Sequence, residues 1–119
     1  MLCNWKRTYK LLVVLGASVF SCGILAQAYP AKTVRIVVPY APGGSVDLTG
    51  RLVAQALQQT MGQSFVVENR AGAGGAIGVE VVAKAPPDGY TLLVVAPGAM
   101  TVITHFQKLP YDPVKDFSP

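Results

Sequence analysis

The run Thr33-Val-Arg-Ile-Val-Val-Pro-Tyr40 passes directly into Ala41-Pro-Gly-Gly-Ser45. Val34, Ile36, Val37 and Val38 make a short, β-branched, nearly continuous apolar stretch. Such a stretch marks a strand buried on both faces, as in a parallel sheet; a strand with one wet face would alternate. Pro42, Gly43 and Gly44 then break the strand, and a helical pattern begins at about Ser45. A strand ending in a glycine turn that opens a helix aims unpaired N–H groups, and the positive end of a helix dipole, at one spot. Small anions bind at such spots.

The rest of the chain repeats this unit. The spacing predicts a helix over Ser45–Met61, with Leu48, Leu52 and Ala56 in one row and Val53, Leu57 and Met61 beside it, an apolar face that would cover the sheet. Ser45 is the expected N-cap, Asp47 suits the first turn, and Gly62 suits the position just past the end. Phe65–Asn69 reads as a second strand, nearer an edge. Arg70-Ala-Gly-Ala-Gly-Gly75 is a second glycine turn and opens a helix over Ala76–Ala85, with Ile77, Val81 and Ala85 on one face and Glu80 and Lys84 paired on the surface. Gly78 costs that helix about 1 kcal/mol against alanine, which points to close packing on the sheet. Pro86-Pro87 ends the helix and Asp88-Gly89 turns the chain into a third strand, Tyr90–Ala96. Pro97–Thr101 is a third loop in the same place relative to its strand, followed by a short helix over Val102–Phe106 and a proline-fixed segment, Leu109–Pro113. The order β-α-β-α-β predicts an α/β fold with a parallel sheet and right-handed crossovers. All three loops then emerge at the carboxyl ends of the strands, where open α/β sheets bind ligands.

The first 28 residues read as a leader. Lys6, Arg7 and Lys10 form a basic start, Leu11–Phe20 is apolar, and Ala26-Gln27-Ala28 offers a small-x-small cleavage site, so residues 1–28 are expected to be a signal peptide and Tyr29 the mature N-terminus. A membrane span fits less well: Gly16, Ser18, Ser21, Gly23 and Gln27 interrupt a stretch already short of the ~20 apolar residues required. Val19-Phe20-Ser21-Cys22 is a poor lipoprotein signal, because Phe20 is bulky. Removing the leader takes three of the ten basic residues and both cysteines, Cys3 and Cys22. What remains is close to neutral and has no basic stripe, so nucleic acid is not an expected partner, and neither a disulfide nor a thiolate metal site is available. The chain stops at Asp116-Phe-Ser-Pro119 without a closing helix or polar tail, which reads as a fragment.

Reactive chemistry has few candidates. Gly72-Ala-Gly-Gly-Ala-Ile-Gly78 suggests a dinucleotide turn, but the third glycine of that pattern would fall at Ile77, and Asp88 lies in a turn rather than at a strand end. Neither glycine turn is followed by the Lys-Ser/Thr of a nucleotide loop. His105 is the lone histidine and is expected at the surface or in packing. Ser45 has no evident base, and Arg70 is expected to pair locally with Glu68. No metal or cofactor is expected. Two glycine turns and a third small-residue loop instead make a cradle of backbone donors suited to a carboxylate. A small α/β enzyme domain or a nucleotide-binding module is the alternative of another class.

Taken together, several motifs resemble one family. They are Tyr29-Pro30, Val37-Val-Pro-Tyr-Ala-Pro-Gly-Gly44 with Asp47, Val66-Val-Glu-Asn-Arg70, Gly72-Ala-Gly-Gly75 with Gly78, Ala83-Lys-Ala-Pro-Pro-Asp-Gly-Tyr-Thr-Leu-Leu93 and Leu109-Pro-Tyr-Asp-Pro-Val-Lys-Asp-Phe117. In this order they resemble the Bug-type (TctC-like) extracytoplasmic solute receptors of tripartite tricarboxylate transporters. The resemblance implies a two-lobed periplasmic binding protein, monomeric at full length, that captures a small carboxylate and delivers it to membrane permease subunits. Residues 29–119 would be the first part of one lobe, with the second lobe absent. The resemblance also implies that the loops Tyr40–Asp47 and Gly72–Gly78 hold one ligand carboxylate, with Tyr40, Gly43, Gly44, Ser45, Asp47, Gly72, Ala73, Gly74 and Gly75 as contacts. Two departures from the family pattern stand out. Ala71 replaces a frequent proline, and Ala96–Val102 replaces a hydroxyl-rich stretch, leaving Thr101 and Thr104 as the third loop's candidates.

Overall fold

In the computed structural model, which describes residues 29–118, Val34–Val38 (β1) is the middle of three parallel strands. Phe65–Asn69 (β2) lies on one side, with Val34 opposite Phe65 and Val38 opposite Asn69. Thr91–Leu93 (β3) lies on the other, with Arg35 opposite Thr91 and Val37 opposite Leu93. Val34, Ile36, Val37 and Val38 have no solvent exposure, as a strand covered on both faces requires. The helix Ser45–Met61 (α1) covers the face of Val34, Ile36 and Phe65, to which it contributes Ala54 and Leu57. Ala76–Ala83 (α2) covers the other face, where Ala76 and Val79 pack with Leu93, Val95, Ala99 and Tyr111. The leader assignment lies outside the described residues.

Strand β3 is shorter than the expected Tyr90–Ala96, and Pro39 supplies the reason. On the β3 side, β1 bonds through its odd-numbered residues: Arg35 N–H donates to Tyr90 O at 2.9 Å, and Val37 O accepts from Val94 N–H at 3.0 Å. The next donor in that ladder would be residue 39, and proline has no N–H. On the β2 side the even-numbered residues bond, so that ladder runs on to Arg70 N–H donating to Val38 O at 2.8 Å. Helix α2 likewise ends two residues early, where Ala85 N–H turns to Val82 O instead of continuing the α-helical pattern. Ala85 precedes Pro86, which disfavours helical angles.

The apolar face expected on α1 is corrected. Leu48 and Leu52 point outward, 56% and 67% exposed, and Val53 and Met61 are also partly exposed, at 39% and 40%. The buried residues are Asp47, Gly50 and Ala54, with Leu57 partly covered. The helix lies on its small residues: a Cβ built on Gly50 would come within 2.9 Å of Val38 Cγ2. Bulky leucines in those positions would hold the helix off the sheet. The N-cap is Gly44, not Ser45, which is the first helical residue, and Gly62 closes the helix in a left-handed conformation as expected. In α2 the core residues are Ala76 and Val79, whereas Ile77 is half exposed with its side chain against Gly72.

Beyond β3, Pro97–Ala99 forms a 3-10 turn and Ile103–Phe106 a short helix (α3). Tyr111 is buried and donates its hydroxyl to Ala99 O at 3.0 Å, and Phe117 meets its ring edge-on at 6.2 Å. The segment after Leu109 thus closes over the third loop.

Gly78 tests the closeness of α2 to the sheet. A Cβ there would lie 2.6 Å from Pro39 Cβ and 2.7 Å from both Pro39 Cα and Arg70 O. These are backbone and ring atoms that yield little, so Gly78→Ala is expected to destabilise the fold by about 1–3 kcal/mol in urea unfolding. A gain in stability, which an open helix position would show, contradicts this packing.

Candidate functional site

The three loops meet at Gly75. A Cβ on that residue would lie 3.1 Å from Ala99 Cβ and 3.5 Å from the Tyr40 ring, so the second loop presses against the first and third at once. A Cβ on Gly74 would likewise lie 3.1 Å from Ile103 Cδ1. Gly72, Ala73, Gly74 and Gly75 all have positive φ, at 140°, 48°, 65° and 102°. Alanine in that region costs about 1–2 kcal/mol, and held strain of this kind collects at ligand clamps. Gly43, at φ 88°, makes the corresponding reversal in the first loop.

Asp47 is the buried charge of the site, 2% exposed. Its carboxylate accepts hydrogen bonds from Arg51 Nε at 3.0 Å, Gly43 N–H at 2.9 Å and Asn69 Nδ2 at 2.9 Å. The Arg51 bond is the strongest influence on its acidity, followed by Gly43 and Asn69, and together they hold its pKa at about 2 against an ordinary 3.8. Burial pushes the other way and is outweighed. Arg51 lies one helical turn on, the i, i+4 arrangement in which an acid precedes its base. Among the described residues no buried side-chain polar atom lacks a partner.

This arrangement changes the role of Gly43. Its N–H is occupied by Asp47, so its glycine character serves the turn. Among the described residues, the N–H groups of Gly44, Ser45 and Val46 find no acceptor, as expected for the start of a helix. Ser45 is exposed there, and Tyr40 is half-buried beneath Gly75. Thr101 is exposed and donates its hydroxyl to Pro97 O at 2.9 Å. The third-loop residue that touches the second loop is Ala99. His105 is exposed; its Nδ1 lies 2.9 Å from Thr101 O, which as a carbonyl can only accept. Arg70 pairs with Glu68 as expected, and Glu68 also meets Arg35 at 3.2 Å.

Asn69 and Arg51 were not among the sequence candidates. The Asp47–Arg51 spacing alone could have revealed Arg51, but nothing local marks Asn69, whose partners lie 18, 22 and 29 residues away. An open concavity of about 440 Å³ between α1 and the outer side of β2 includes Arg51, Gln55 and Phe65 and none of the glycine loops.

The family model described as "Tripartite tricarboxylate transporter family receptor" matches residues 49–119. Protein BugT of Bordetella pertussis is 40% identical over 116 residues, spanning 92% of this chain and 36% of that protein. Among solved structures, MatC of Rhodopseudomonas palustris with bound malate is 43% identical with a TM-score of 0.71, over 76% of this chain and 31% of that one. A second R. palustris protein, solved with adipate, is 41% identical with a TM-score of 0.71, over 76% and 31%. The chain thus spans about a third of the length of the curated relatives it matches.

The Asp47 network makes the fold acid-sensitive with a defined sign. Because the folded-state pKa is lowered, its stabilisation is fully present above the ordinary 3.8 and lost as pH falls toward 2. A site-resolved NMR titration of the Asp47 carboxyl is expected to show a midpoint near 2, moved upward by Arg51→Ala. A midpoint near 4 in the unaltered chain contradicts the network.

Proposed function

This chain belongs to the tripartite tricarboxylate transporter receptor family, and from that premise we propose that it is the N-terminal part of an extracytoplasmic receptor that captures a small carboxylate. The observation that carries the reading is the convergence of three small-residue loops at the carboxyl ends of the strands, with the N–H groups of Gly44, Ser45 and Val46 unoccupied at the start of α1. Oriented amides with little side-chain bulk stabilise an anion without offering it a reactive group. The relatives solved with malate and adipate support a dicarboxylate as ligand.

In this reading one ligand carboxylate lies between the first loop and Gly72–Gly75. The amides of Gly44 and Ser45 donate from one side and those of Ala73 and Gly74 from the other. Tyr40 forms the floor, and Thr101 is the third loop's contact, its hydroxyl turning from Pro97 O to donate to the ligand. Gly43 and Asp47 shape the cradle from beneath. Residues 1–28 direct export to the periplasm, a second lobe closes over the ligand, and the closed receptor, a monomer, passes it to membrane permease subunits.

One wall of such a cleft holds a ligand weakly. Each amide bond to an anion contributes roughly 0.5–3 kcal/mol net. Two or three of them, less the entropy of immobilising the ligand, give a Kd on the order of millimolar. Titration of ¹⁵N-labelled residues 29–119 with malate is expected to shift the amides of Gly44, Ser45, Ala73 and Gly74 with such a Kd, and malamide is expected to leave them in place. Equal response to malamide, or loop amides that do not move, contradicts the carboxylate reading. Intact-mass analysis of the exported protein is expected to find Tyr29 first; Met1 or a lipidated Cys22 contradicts the leader.

A further inference from the structure

Asn69 ends β2, immediately before the second loop, yet its carboxamide is committed entirely to the first loop and α1. Nδ2 donates to Tyr40 O at 3.1 Å and to Asp47 Oδ1 at 2.9 Å, while Oδ1 accepts from Arg51 Nη2 at 3.3 Å. Both amide hydrogens and the oxygen are thereby used. The last main-chain bond between β1 and β2 is Arg70 N–H to Val38 O. Past it the two chains diverge into their glycine turns, and the Asn69 side chain continues the connection. It reaches the main chain of the first loop directly at Tyr40, and indirectly through Asp47, which holds Gly43 N–H.

The geometry points to Asn69 as the positioning residue that sets the spacing between the two glycine loops, and through that spacing the affinity for a carboxylate. This rests on the receptor reading above. Asn69 does not touch the ligand in this role; it holds the two sets of amides at the separation one carboxylate bridges. Asparagine is required because the two groups it faces, a carbonyl and a carboxylate, both need donors. Aspartate has the same shape and would present acceptors to both. Supporting groups of this kind change affinity by one to two orders of magnitude without contacting ligand.

The test uses the ¹⁵N-labelled chain as exported, with hydrogen exchange at Gly43 and Val37 and titration with malate. Asn69→Asp is expected to speed Gly43 exchange about tenfold relative to Val37, which reports the core. It is also expected to weaken malate binding about tenfold. The double swap Asp47→Asn with Asn69→Asp restores a donor facing an acceptor between these positions and keeps an acceptor for Gly43. It is expected to recover at least part of both losses. If Gly43 exchange rises only in step with Val37, or the swap does no better than Asn69→Asp, the positioning role is overturned. Asn69→Ala, which adds no charge, provides the same comparison if Asn69→Asp does not fold. Should the unaltered chain bind no malate, the receptor reading fails while the exchange comparison still decides whether Asn69 holds the loops.

Discussion

A carboxylate removed from water must be met by donors, and Asp47 is met by three, from three different parts of the chain. Gly43 precedes the helix, Arg51 lies a turn further along it, and Asn69 ends the neighbouring strand. Satisfying all three sets the rotation of α1 about its own axis, which explains why Leu48 and Leu52 face outward although their spacing suits a core face. The apolar gain from burying two leucines is set against leaving a charge and three donors unpaired, and a buried unpaired charge is the costlier of the two. The small residues Gly50 and Ala54 then take the sheet-facing positions.

The same carboxylate divides the work within the first loop. A negative group beneath an anion site would repel ligand, but Arg51 balances it and Gly43 N–H takes up part of its field. The amides of Gly44, Ser45 and Val46 stay unoccupied among the described residues, and in the proposed function they are the ones offered to an outside anion. In the second loop, four successive residues with positive φ turn the chain sharply enough for Gly75 to contact Tyr40 and Ala99 together. Tyr111 ties down the carbonyl of Ala99 from the far side.

Much of this was legible in sequence because it depends on local pattern. The uninterrupted Val34–Val38 run marked the central strand, the glycine turns marked the loops, and Gly78 marked a close approach that the structure realises against Pro39. The limits of reading were where non-local contacts decide. Pro39 cuts β3 short from across the sheet, and that follows only once the pairing register is known. The rotation of α1 depends on Asn69, which the spacing within the helix does not reveal. Thr101 was the natural candidate in the third loop by its hydroxyl, yet it is Ala99 that meets the second loop, because proximity to Gly75 there favours a small side chain.

The central claim is that Asp47 and Asn69 hold two glycine loops at the spacing of one carboxylate, leaving other amides to bind it. A crystal structure of residues 29–119 grown with malate addresses it most directly. The account predicts a ligand carboxylate within hydrogen-bond distance of Ser45 N–H and Gly74 N–H, with Asp47 still accepting from Gly43 and Arg51. A ligand seated on Arg51 with Asp47 displaced, or bound away from both loops, would contradict it.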